Sequence, residues 1–178
     1  FEKRETNTRL IVIISVMVGI SVVGRFLFLA IPGFKPVTAI VIITAVYFGA
    51  EAGFLVGALS ALISNMYFGQ GPWTPFQMFS WGIIGLIAGL PFIRHYLLQN
   101  KWLIMIYGAV AGMVFSLFMD IWTVLSIDGN FNVKRYITFV GLSLPFMATY
   151  AISNVIFLLL TLKPIGNKLE RMKSKDGI

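Results

Sequence analysis

Ala39 to Phe48 (AIVIITAVYF), Ala52 to Phe68 (AGFLVGALSALISNMYF) and Phe76 to Ile93 (FQMFSWGIIGLIAGLPFI) are almost uncharged, and similar runs recur on either side until about six fill the chain. Such a chain has lipid for a solvent. Crossing an apolar core of about 30 Å takes on the order of 20 residues at 1.5 Å each, and every backbone donor must be satisfied within the segment, which selects helices. The expected fold is an all-α membrane protein: one integral membrane domain over residues 1–178, a bundle of six transmembrane helices.

Interruptions in the apolar runs set the boundaries. Helix one is expected at Leu10 to Ile31, two at Pro36 to Phe48, three at Ala52 to Phe68, four at Pro75 to Leu97, five at Trp102 to Leu125 and six at Tyr136 to Leu162. Pro32-Gly33, the Gly49 to Gly53 stretch, Gly69-Gln70-Gly71-Pro72, Gln99-Asn100 and Asp128-Gly129-Asn130 supply the turns. Helix two, roughly 20 Å long, is too short to span alone and must borrow from its neighbours or lie beside a shielded, watery region.

Hydrophobic residues make up 58% of the chain and charged ones 12%, too little polar surface for a soluble domain of this size. Basic residues favour the cytoplasmic side. With both termini cytoplasmic, Lys3, Arg4, Arg9, Arg94, Lys101, Lys163, Lys168, Arg171, Lys173 and Lys175 lie inside, against only Lys35, Lys134 and Arg135 in outer loops. The net charge of +7 is thus a topology and headgroup signal, and a chain this apolar lacks the exposed basic face that nucleic acid would need. The initiator Met is absent, so the chain reads as trimmed; Glu2, Lys3, Arg4 and Glu5 ahead of a long first span do not read as a cleaved signal peptide.

Absences narrow the chemistry further. Without cysteine there are no disulfides or thiolate metal sites, and the lone His95 excludes a multi-histidine metal cage. No Walker loop, His-Glu-x-x-His or Gly-x-Ser-x-Gly turn is present, and Gly69-Gln70-Gly71 is followed by no Lys-Ser or Lys-Thr. Neither an enzyme, a metal site nor a catalytic cofactor is expected.

Function then lies where polar residues enter the apolar runs. Arg25 and Asp120 each fall roughly 8 to 9 Å below the outer boundary, and a charge at such depth seeks a partner, so the two are expected to pair or to line a polar cavity. The loop from helix three to four gathers Asn65, Tyr67, Phe68, Gln70, Trp73, Thr74, Phe76, Gln77 and Trp81 around glycines and prolines. This composition fits an aromatic belt or a loop covering a ligand. Gln77 and Trp81, four apart, share one helix face expected to point toward the outer opening. Small residues recur every four positions: Gly53, Gly57 and Ala61; Gly85 and Gly89; Gly108, Gly112 and Ser116. These suit internal helix packing, whereas Ser15 and Gly19 on helix one could equally receive a helix of another subunit. Asn154 in helix six reads as an interhelical hydrogen bond.

Gly24-Arg25, Pro32-Gly33-Phe34-Lys35-Pro36-Val37-Thr38, Phe48-Gly49-Ala50-Glu51-Ala52-Gly53-Phe54-Leu55-Val56-Gly57-Ala58 and Phe68-Gly69-Gln70-Gly71-Pro72-Trp73-Thr74-Pro75-Phe76-Gln77-Met78 resemble the S component of an energy-coupling factor (ECF) vitamin transporter, most closely the cobalamin type. The resemblance implies a multi-pass protein of a prokaryotic plasma membrane that captures a vitamin at the outer face. Its implied partners are a transmembrane T component and two ATPase subunits, and it topples to carry the closed site inward. The family's helix-one contact with the T component is typically Ala-x-x-x-Ala, where this chain has Ser15 and Gly19. The expected substrate-binding residues are Arg25, Lys35, Tyr67, Gln70, Trp73, Phe76, Gln77, Trp81 and Asp120, with Lys35 at the rim and the first and third loops as a lid. Cobalamin is the expected ligand; riboflavin, folate or pantothenate are the alternatives, and an ion-coupled transporter or a structural subunit are the rivals from other classes.

Overall fold

The computed structural model describes residues 8–176, with the side chains of 173–176 left aside; Lys3 and Arg4 of the orientation argument lie outside these residues, as do the side chains of Lys173 and Lys175. Among the described residues there are seven helices and no strand: α1 (Thr8–Leu27), α2 (Val37–Phe48), α3 (Ala50–Phe68), α4 (Trp73–Gly89), α5 (Pro91–Gln99), α6 (Lys101–Asp128) and α7 (Val133–Asp176). Four of them, α1, α3, α6 and α7, are each long and apolar enough to cross a membrane, and α4 with α5 gives a fifth if the pair is one span.

Three boundaries differ from the sequence reading. The expected fourth helix is two: Pro91 drives Leu90 into extended backbone (ψ 136°), and α4 and α5 meet at a 75° bend. The first helix stops at Leu27, and the last runs 44 residues through Pro145 and Pro164. At 1.5 Å per residue α7 is about 66 Å long, so it must project well past an apolar core of about 30 Å.

At the centre is α2. Its sequence is apolar all round, and Val37 to Val46 are buried without exception. A helix with no polar face is stable only when other helices cover every side, and α2 touches all six of the others. At about 18 Å it does not fill the membrane depth. The chain from Phe28 to Pro36 leads into it and carries Lys35 onto the buried rings of Trp81 and Phe115 and the half-buried ring of Tyr150.

Glycines set the closest helix contact. A Cβ on Gly57 would lie 2.5 Å from the carbonyl carbon and oxygen of Trp81, and one on Gly53 would lie 2.7 Å from the Gly85 oxygen, so α3 and α4 meet backbone to backbone. On α6, Gly112 meets the α7 backbone at Tyr150 and Ala151, and Asn154 donates to the Gly108 carbonyl at 2.8 Å, the interhelical bond expected for it. By contrast Gly19 has nothing within 4 Å, and Ser15 beside it is exposed.

Candidate ligand-binding site

Where the end of α1 meets α3 and the start of α4, Arg25, Ser64, Asn65, Thr74 and Gln77 form one hydrogen-bonded group. The Arg25 side chain leaves α1 toward α3, where Nη1 donates to Ser64 Oγ at 2.5 Å and to Asn65 Oδ1 at 2.9 Å. Asn65 passes the contact on to α4, its Nδ2 donating to Thr74 Oγ1 at 2.9 Å and to Gln77 Oε1 at 2.8 Å. Three hydrogen bonds thus fix the Asn65 side chain between α1 and α4, and two fix Arg25 Nη1 on α3.

One turn farther along α4, Trp81 is fully buried, at 0% exposure. Its Nε1–H donates to Thr38 Oγ1 at 3.2 Å, and its ring stacks on Phe115 with centroids 4.6 Å apart and planes 17° from parallel. Tyr150 meets Phe115 edge-on at 5.3 Å. Lys35 Nζ rests over these three rings, 5.2 Å from Trp81, 5.3 Å from Phe115 and 5.1 Å from Tyr150. The Arg25 guanidinium lies 4.7 Å from the Phe68 centroid and 5.7 Å from that of Trp81, so two cations share one aromatic cluster. Ser153 clamps the Lys35 backbone, accepting from its N–H at 2.9 Å and donating to its carbonyl at 3.2 Å. Burial, with the Arg25 charge second, pushes the Lys35 amine down to about 7.

Several expectations are corrected. Arg25 and Asp120 do not pair: the Asp120 carboxylate accepts from Ser143 Oγ on α7 at 2.6 Å, whereas Arg25 faces α3. Lys35 is partly buried, its Nζ drawn over the rings of Trp81, Phe115 and Tyr150 between α4, α6 and α7. Gln77 and Trp81 share a face as expected, yet that face points into the bundle, not toward an opening. Tyr67 is 75% exposed and touches only Phe26 among the rings, while Gln70 is exposed and donates to the Leu62 carbonyl at 2.8 Å, tying its loop back to α3. Trp73 folds over Gly71, and Phe76 leans on Trp122 of α6 with centroids 5.2 Å apart. The structure therefore joins Arg25, Lys35, Gln77 and Trp81, holds Asp120 beside them on α6, and leaves Tyr67, Gln70 and Trp73 outside.

Phe115, Tyr150, Ser64 and Thr38 complete the group and were missed. Aromatic and hydroxyl residues in apolar runs carry no distinguishing signal until the facing residue is known. A separate open depression at the α6–α7 turn is lined by Asn132, Lys134, Arg135, Thr138 and Phe139; Arg135 there already pairs with Asp128 at 3.0 Å. Among the described residues no cluster of acidic and histidine side chains could hold a metal.

Comparison with known proteins agrees with this membrane architecture. The model of the ECF-type riboflavin transporter S component family matches residues 5–165. A UPF0397 protein of Vibrio atlanticus (strain LGP32) is 28% identical over 130 residues, 70% of this chain and 65% of that protein. A UPF0397 protein of Aliivibrio fischeri (strain MJ11) is 29% identical over 89 residues, 47% of this chain and 48% of the relative. The chain thus spans less than two thirds of the length of these curated relatives. No solved structure gives a significant match. A match over nearly the whole length, on a bundle of apolar helices, identifies a multi-pass membrane protein that belongs to the ECF-type riboflavin transporter S component family.

Proposed function

We propose that this chain is the substrate-capturing subunit of an ATP-driven importer, and that its ligand is a vitamin with a planar ring system of about flavin size. The observation that carries the reading is the stacked Trp81–Phe115 pair, buried in the bundle, with Lys35 and Arg25 over its rings. A flat ring can enter this group by displacing the Lys35 side chain from the faces it covers, gaining stacking and cation–π contact in a water-excluded site. The riboflavin description of the family favours a flat ring of this size over a corrinoid. The cobalamin expectation therefore becomes the competitor in the test.

The end of α1 and the start of α4 face outward in this reading, as the basic residues expect. Capture is binding without chemistry: Trp81 and Phe115 hold the ring, while Gln77, Asn65 and Arg25 answer its polar edge. Ser15 and Gly19 are the proposed docking surface for a T component carrying two ATPase subunits. What supports them is that Gly19 has open space where the other four-residue rows are filled by helices of this chain.

The test is equilibrium binding to the purified chain in detergent, read by tryptophan fluorescence, with riboflavin, cobalamin, folate and pantothenate. Saturable binding of a planar-ring vitamin, weakened at least tenfold by Trp81→Ala or Gln77→Ala with assembly on the T component intact, is the expected result. Selective cobalamin binding would reverse the choice of ligand, and loss of assembly alone in these variants would contradict their roles.

A further inference from the structure

Pro91 turns the chain through 75° between α4 and α5, and the elbow is fixed by what packs on it. A Cβ on Gly89 would strike the backbone of Gly49 and Ala50, so the end of α4 rests directly on the α2–α3 turn. Beyond the bend, an open cleft of about 330 Å³ lies between α5 and α6. Phe92 and Tyr96 of α5 and Leu103, Ile106 and Val110 of α6 wall it, and almost no polar atom reaches it. Tyr107, also in its wall, is tied to α4, its hydroxyl donating to the Ile84 carbonyl at 2.6 Å. With α6 bonded to α4 and α5 turned away from α4, the cleft is built into the fold.

Its depth follows from α6. From Lys101, the first residue of that helix, to Val110 is nine steps of about 1.5 Å, or roughly 13.5 Å. Half of an apolar core of about 30 Å is about 15 Å, so the cleft spans one leaflet with its mouth at headgroup level. The mouth carries the residues of that level: Trp102 is 66% exposed, and Lys101 Nζ lies 5.3 Å from its ring. Along α5, Phe92, Tyr96 and Leu97 take one arc and Arg94 and His95 the other, the arrangement of a helix lying in an interface. Tyr47, at this end of α2, meets Gly166 of α7, which brings Lys163 and Lys168 to the same side of the bilayer, the inner one by the basic-residue rule.

At this depth the surroundings are hydrocarbon, and an apolar cleft open to them takes up an acyl chain. Charge then selects the headgroup. Arg94 and Lys101 are the charged residues of α5 and the first half of α6, and no carboxylate occurs in the chain between Glu51 and Asp120. The acids at this end of the bundle, Glu51 and Glu170, belong to α3 and α7. We infer that the α5–α6 cleft is a binding site for one anionic phospholipid of the inner leaflet, an acyl chain lying between Phe92 and Ile106 and the headgroup held by Lys101 and Arg94. The bound lipid fills the wedge that the elbow opens and fastens α5 in the headgroup layer. This site shares no residue with the aromatic capture group.

The test is native mass spectrometry of the whole chain, purified in detergent and titrated with dioleoyl phosphatidylglycerol or dioleoyl phosphatidylcholine, which carry the same acyl chains under different headgroups. The expected result is one phosphatidylglycerol retained per chain, at least about tenfold more tightly than phosphatidylcholine, from about fivefold for each of two basic residues near the surface. Lys101→Gln narrows that preference by about fivefold. Val110→Trp, which fills the cleft, removes both lipids. If that variant does not fold, Phe92→Ser replaces it, since Phe92 is 74% exposed and takes little part in packing the bundle. Equal retention of the two lipids, or uptake of many copies without saturation at one, overturns the inference. Retention unchanged in the cleft variant also overturns it, as does a lipid-free dimer with a second copy over the cleft.

Discussion

Replacing Gly57 by Ala tests whether the α3–α4 backbone contact positions the site. The new Cβ would stand 2.5 Å from the carbonyl carbon and oxygen of Trp81 and 2.8 Å from the nitrogen of Gly82, whereas ordinary contact begins at 3.4 Å. The shortfall is about 0.9 Å, and the opposing atoms are backbone, so no side chain can rotate away; α4 itself must shift. Trp81 then moves relative to Thr38 and Phe115, whose contacts with it are a 3.2 Å hydrogen bond and a 4.6 Å ring stack. Overpacking of this kind costs about 1–3 kcal/mol. Helix propensity acts the other way, since Ala is favoured over Gly by about 1 kcal/mol, so a fall in stability cannot be ascribed to the helix itself. The expected outcome is a lower thermal midpoint in detergent together with a loss of about tenfold in ligand affinity, equivalent to about 1.4 kcal/mol. A variant with an unchanged or raised midpoint and full affinity would refute the claim that this contact sets Trp81.

Gly19→Leu should leave folding and ligand binding intact, because the position opens away from the bundle, but should abolish co-purification with the T component; unchanged assembly would remove α1 from the docking surface. The Lys35 amine, held down to about 7 by burial in the free protein, regains its ordinary higher value when a ligand ring displaces it from the aromatic faces into water, so binding takes up a proton. Affinity for the ligand should then be constant below about pH 7 and fall by up to tenfold per unit as pH rises toward the bound value. Arg25 on α1 stays charged across this range, and Tyr150 on α7 and Asp120 on α6 are the other ionisable groups on facing helices. A flat profile to about pH 9, or one that persists in Lys35→Met, would remove Lys35 from the contact.

Depth was readable only as well as the helix ends were: α1 stops at Leu27 and α6 runs to Asp128, so Arg25 lies two residues and Asp120 eight from its helix end, not at the matched depth expected. Direction round the axis was not readable at all. Arg25 faces Ser64 and Asn65 on α3 and Asp120 faces Ser143 on α7, and only the packed bundle fixes that angle. Trp81 and Gln77 stood out because the chain has only four tryptophans and because an amide inside an apolar helix is unusual, whereas Phe115 and Tyr150 sit among sixteen phenylalanines and six tyrosines with nothing local to mark them. The prolines mislead in both directions: the sequence reading runs the fourth helix through Pro91, where the chain breaks, and ends the sixth before Pro164, where it does not. Pro91 follows Gly89-Leu90 and breaks the apolar run of the fourth helix, while Pro145 and Pro164 lie inside a helix that continues through both.

A helix enclosed on every side raises a question of assembly as well as of fold. At 12 residues α2 is too short to be recognised and retained by a membrane on its own, and it presents no lipid-facing surface once the bundle closes. One residue, Gly49, separates it from α3, with a φ of +98° and a ψ of −179° that only glycine adopts at ease. The two helices must therefore enter the bilayer as a single hairpin, with α3 as the anchor and α2 as its passenger. Biogenesis of this protein accordingly depends on a turn that lies at the far end of α2 from the site it helps to build.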